Sequence, residues 1–124
     1  MRFKLSKRAR LRNRKAFRSV YEEGRFISNF MIAVHYVPQV SRTGQNHRIG
    51  FTAGKRLGNA VKRNRCKRRL KELYRLHQAE FPDGFDFVVV ARKAMVNCEW
   101  GKLADAFHDV LRRTKLKSSS TKCL

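Results

Sequence analysis

The sequence predicts an α+β sandwich with one small sheet, and three observations carry that reading. Apolar residues recur at helical spacing in segments 13–24, 59–79 and 100–111. Between them lie β-prone runs at 26–37, 48–53 and 85–91. The order is helix, strands, helix, strand, helix, which fits helices packed on a single sheet.

Each element has a local cause. Asn13 can cap a first helix with Phe17, Val20 and Tyr21 on one face, and Gly24 can stop it. In FISNFMIAVHYV (26–37), read as strand, Ile32, Val34 and Tyr36 alternate with Met31, Ala33 and His35, and Pro38 ends the run. A polar loop, 38–47, leads to a second strand over 48–53 with Ile49, Phe51 and Ala53 on one face. Asn59 is placed to cap a long helix that reaches about Ala79. Pro82-Asp83-Gly84 reads as a turn. FDFVVVA (85–91) is nearly continuous in apolar residues, as suits a strand covered on both faces. Trp100, Leu103, Phe107 and Leu111 mark a closing amphipathic helix, and from Lys115 onward the composition loosens toward a frayed tail.

Composition bounds what such a fold can do. The 124 residues carry 30 Lys and Arg against 9 Asp and Glu, a net charge of +21, with 42% hydrophobic residues and nine Phe. A chain this size buries roughly 65% of its unfolded surface, so wholesale disorder is not expected. No window reaches 18 uncharged apolar residues, and the N-terminus lacks the pattern of a secretory signal. Cys66, Cys98 and Cys123 are an odd, widely spaced set, better suited to reduced thiols in a cytoplasmic compartment than to disulfides or zinc. So large a charge repels itself unless a polyanion offsets it, which points to nucleic acid ahead of anionic lipid.

The charge is laid out in two blocks. Residues 2–18 hold nine Lys or Arg and no acid, and residues 55–75 hold ten more against the single Glu72. Within the long helix, Cys66, Leu70, Leu73 and His77 form one stripe with Tyr74 beside it. Asn64, Arg68, Lys71 and Arg75 form another, about 200° around the axis. One face packs, and the other presents guanidinium forks suited to phosphates. Lys62 and Arg63 in the first turn add cations where the helix dipole disfavours them, a placement that makes sense when an anion binds.

The run Lys55-Arg56-Leu57-Gly58-Asn59-Ala60-Val61-Lys62-Arg63-Asn64-Arg65-Cys66-Lys67-Arg68-Arg69-Leu70 closely resembles the KK-x-GNAV-x-RNR-x-KRR signature of the bacterial ribonuclease P protein subunits. Phe17, Tyr21 and Gly24 resemble that family's first helix. Arg48-Ile49-Gly50-Phe51-Thr52 and Val88-Val89-Val90-Ala91-Arg92-Lys93 resemble two of its strands. The likeness runs from Leu5 to about Leu116. Gly54, where a Ser is common, and Cys66, in a usually aliphatic slot, depart from the pattern.

The resemblance implies an α-β-β-β-α-β-α order, a four-stranded sheet and a left-handed βαβ crossover. It implies one RNA-binding domain over 1–116, a flexible tail over 117–124, and a cytoplasmic location. It implies the protein subunit of an endoribonuclease that removes the 5′ leader of precursor tRNA, with catalysis in the RNA subunit and Mg²⁺ held mainly by RNA. By the same resemblance, Lys62, Arg63, Asn64, Arg65, Lys67, Arg68, Arg69 and Lys71 would contact the catalytic RNA subunit. Phe17, Tyr21 and Tyr36, with Lys55, Arg56, Arg92 and Lys93 at the rim, would bind the single-stranded leader. The residues themselves agree in part. They show no clustered carboxylates, no HExxH and no Walker loop, and His47 sits in a loop with no acid paired to it. A basic groove with aromatic platforms suits single strands; ordinary core packing at i, i+4 is the lesser reading of Phe17 and Tyr21. A structural RNA binder of ribosomal type is the alternative, and a DNA-compacting protein a third. No membrane or protein partner is implied.

Overall fold

The computed structural model describes residues 10–11, 14–38 and 47–122, with side chains as far as Lys115. Helix α1 spans Arg14–Glu23, strands β1 Arg25–Ser28, β2 Ile32–Pro38 and β3 Arg48–Thr52 follow, then helix α2 Ala60–His77, strand β4 Phe85–Ala91 and helix α3 Trp100–Lys122. Short 3-10 turns at Lys55–Leu57, Gln78–Glu80 and Lys93–Met95 join them. The predicted cap Asn13, residues 39–46 of the predicted loop, and Cys123 lie outside the described residues.

The sheet order is β1-β2-β4-β3, with β2 antiparallel and β3 parallel to β4. The apolar run at 85–91 therefore lies between two partners, as its composition requires. Phe85, Phe87, Val89 and Ala91 join Ile32, Val34, Tyr36 and Ile49 in the main core, which α2 and α3 close with Leu70, Leu73, Tyr74, Leu103 and Phe107. Val88 and Val37 point to the opposite face, where Leu11 and Val20 cover them. This is the predicted α+β architecture.

Two local readings change. The segment 26–37 is a hairpin and not one strand. Asn29 breaks it: its Oδ1 accepts from the Met31 and Ile32 backbone N–H groups, both at 3.0 Å, so the side chain stands in for a ladder partner. Its Nδ2 donates to Ala106 O at 2.9 Å and ties the turn to α3. At the other end of the chain, α3 continues as helix to Lys122, past the Lys115 boundary read from composition.

Asn59 caps α2 as predicted, its Oδ1 accepting from Lys62 N at 3.0 Å. Gly24 does end α1, though through close approach and not a left-handed conformation. A Cβ there would lie 2.2 Å from Val20 O and 2.7 Å from Tyr36 O. Gly24→Ala should therefore cost about 1–3 kcal/mol through forced backbone shifts. Gly101→Ala, in α3 with no neighbour within 4 Å, should instead gain a few tenths to about 1 kcal/mol of helix propensity. Thermal melts of the two variants check this, and Gly24→Ala melting at or above the parent would contradict the packing.

Candidate nucleic-acid interface

Pairing brings one row of side chains across the face of the sheet that carries α1. Phe26 pairs with His35, His35 with Val88, and Gly50 with Val88. Above this row lie the α1 aromatics. Phe17 leans on the bare backbone of Gly50, where an added Cβ would meet its ring at 2.4 Å. The Tyr21 ring meets His35 edge-on at 4.6 Å, and Phe26 stacks on His35 at 5.4 Å. Tyr21 is 43% and Phe26 60% exposed. Burial holds the His35 imidazole below its ordinary pKa, so near neutral pH it is an uncharged ring.

One residue pair further along the strands, about 7 Å away, runs a second row of Ser28, Ala33, Val90 and Thr52. These side chains are half-buried, with Val90 packed against the edge of the α1 cluster. Because β3 and β4 are parallel, both leave the sheet at this end. Lys55 and Arg56 follow one, Arg92 and Lys93 the other, and all four are exposed. Arg92 is held there by its N–H to Met31 O at 2.9 Å and its guanidinium to Asn29 O at 3.1 Å. The result is a shallow cleft with rings on one side, a small-residue floor and a cationic rim.

The structure removes Tyr36 from this site. It is 1% exposed and faces the main core against Phe85 and Phe87, because strand alternation puts it with Ile32 and Val34. His35 takes the cleft position. The same alternation in the sequence could have found it.

Helix α2 separates its faces as predicted. Cys66, Leu70, Leu73 and Tyr74 are buried, and burial raises the Cys66 thiol pKa. Lys62, Asn64, Arg65 and Arg68 are exposed. Among the described residues no carboxylate pairs with Lys62, Arg63, Arg65, Lys67 or Arg68. Three members of the predicted surface are partly withdrawn. Arg63 buries its Nε with no hydrogen-bond partner. Lys71 lies near Arg10 and Lys67, and burial, then those two cations, hold its pKa down. Arg69 turns inward, its guanidinium donating to Cys98 O at 2.8 Å and Met95 O at 3.4 Å.

His47 corrects another reading. It is buried, with Nε2 2.8 Å from the Tyr74 hydroxyl and Nδ1 3.9 Å from Asp83, so an acid does stand beside it. Phe81 and Phe87 pack around the ring, and burial pushes the Tyr74 hydroxyl up to about 12. This cluster belongs to the core and not to the cleft. Among the described residues, no three His, Cys, Asp or Glu groups gather to hold a metal ion, and no helix is long and apolar enough to cross a membrane.

Comparison with known proteins identifies the family and the fold. The family model described as Ribonuclease P matches residues 5–115. The chain is 39% identical to the ribonuclease P protein component of Symbiobacterium thermophilum, over 90% of this chain and 96% of that protein. It is 35% identical to that of Finegoldia magna, over 96% and 98%. The solved structure of the Staphylococcus aureus RNase P protein superposes with a TM-score of 0.77 at 25% identity, covering 86% of this chain and 95% of that one. That from Thermotoga maritima gives 0.73 at 27% identity, covering 84% and 96%.

The two faces of α2 should separate by mutation. Arg68→Ala should leave the melting temperature unchanged or slightly raised, since it only relieves repulsion. Arg69→Ala should cost about 1–3 kcal/mol by leaving Cys98 O without its donor. Leu70→Ala should cost about 2–5 kcal/mol as a core cavity. Equal melting temperatures for the two arginine variants would mean that Arg69 does not brace the fold.

Proposed function

The chain belongs to the ribonuclease P protein family and is the protein subunit of that endoribonuclease, and from this premise we propose how its surfaces divide the work. The sheet cleft takes the single-stranded 5′ leader of precursor tRNA, and the exposed face of α2 takes the catalytic RNA subunit. The aromatic row beside a small-residue floor and cationic rim carries the first assignment. Bases stack on rings, and phosphates follow the basic edge. Tyr21, His35 and Phe26 are the stacking surfaces of this proposal, with Phe17 half-packed behind them. Lys55, Arg56, Arg92 and Lys93 meet the backbone.

The α2 assignment rests on Lys62, Arg63, Asn64, Arg65, Lys67 and Arg68, with Lys71 at the edge. Neighbouring forks on one rigid helix suit successive phosphates. The protein in this reading binds and orients. It brings leader and RNA together and screens their mutual repulsion. Mg²⁺ serves the reaction and is held mainly by RNA. Among the described residues, no three His, Cys, Asp or Glu groups gather that could hold it. The working unit is residues 1–116, and the proposed location is the cytoplasm, where precursor tRNA is made and free thiols such as those of Cys66 and Cys98 persist.

Affinity of the reconstituted holoenzyme for precursors of increasing leader length, against mature tRNA, tests the cleft. Tyr21→Ala should remove about 1–3 kcal/mol of the preference for precursor, while Tyr21→Phe keeps it because the ring and not the hydroxyl stacks. Arg65→Ala should weaken assembly with the RNA subunit and leave the preference intact. Equal loss for precursor and mature tRNA in Tyr21→Ala would withdraw the leader assignment.

A further inference from the structure

We infer that Trp100 is a stacking site for an unpaired base of RNA, on the α2 side of the molecule and separate from the sheet cleft. The inference rests on the reading of α2 as the surface that meets the RNA subunit. Trp100 opens α3 and is 42% exposed. It belongs to neither apolar cluster of the fold, so its ring does little to hold the core.

The ring is nonetheless fixed in place. The Arg69 guanidinium carbon lies 5.9 Å from the ring centroid. Arg69 cannot swing away freely, because Cys98 O and Met95 O hold it. A cation pinned against an indole stabilises that ring by cation–π attraction and makes a rigid, electropositive platform. A base adding to it would be sandwiched into a preorganised stack and would lose little side-chain entropy in doing so.

The surroundings select the occupant. Arg65 stands one turn before Arg69 on the same side of α2, exposed and without a carboxylate partner among the described residues. Lys102, also exposed, follows Trp100 by two residues. Glu99 is the neighbouring acid, exposed and outnumbered. An apolar ring set among cations complements a nucleotide, whose base stacks while its phosphate meets Arg65. A protein partner with an apolar patch would have to desolvate those cations.

Trp100 is the only tryptophan in the chain, so its emission reports this site alone. The full-length protein is titrated with an in vitro transcript of a bacterial ribonuclease P RNA, and separately with a single-stranded leader oligonucleotide. Bound transcript should quench the emission and shield it from acrylamide, whereas the oligonucleotide should leave both unchanged. Trp100→Ala should weaken transcript binding about 5- to 150-fold, with Trp100→Phe retaining most of it and melting curves confirming the fold. Transcript that binds at parental affinity while emission and acrylamide access stay as in the free protein overturns the site and leaves the α2 reading standing. Failure of the transcript to bind at all overturns both.

Discussion

Strand β4 must be covered on both faces, and the arrangement of the molecule follows from that. Apart from Asp86 its side chains are apolar on both faces, and all but the half-buried Val90 are buried. Helices α2 and α3 close one face completely with large residues. On the other face, α1 is only ten residues long and reaches as far as Val88 and Gly50. Toward the far end of the strands Ala33, Val90 and Thr52 are only half-buried. The cleft is thus the part of the second face that a short helix covers only in part.

Charge imposes the second constraint. Of the few acids, Asp86 is buried in the fold, and others pair with cations at the surface. Buried Asp86 takes a two-pronged bond from Arg48 on the neighbouring strand, at 3.0 and 2.8 Å. Removing one member of such a pair leaves the other uncompensated. Glu80 meets His77 and Lys115, and Asp109 meets Arg112 and Arg113. Glu72 is paired with Arg75, toward the C-terminal end of α2. The first three turns of that helix are left with their positive potential uncancelled, which is where the proposed phosphate contacts lie.

Much of this was legible in the sequence. Asn59 as a cap, the two stripes of α2 and the doubly covered 85–91 strand all depend on residues within a few positions of each other. The hairpin at Asn29 was missed because apolar residues flank it on both sides, and the signal was one amide side chain bonding its own backbone. Tyr36 went to the wrong face although its period-2 register with Ile32 and Val34 was readable. The inward turn of Arg69 onto the 95–98 segment and the approach of Asp83 to His47 were not readable. Both join residues 26 or more positions apart, and only the packed fold brings them together.

In the proposed function the uncompensated face of α2 binds RNA through its phosphates. The most direct test is the salt dependence of affinity for the ribonuclease P RNA, measured for the parent and for Arg65→Ala and Arg68→Ala. Log affinity should fall steeply with log salt, with each substitution lowering the slope by about 0.7–0.9 at unchanged melting temperature. A slope near one in the parent, unaltered by either substitution, would contradict it.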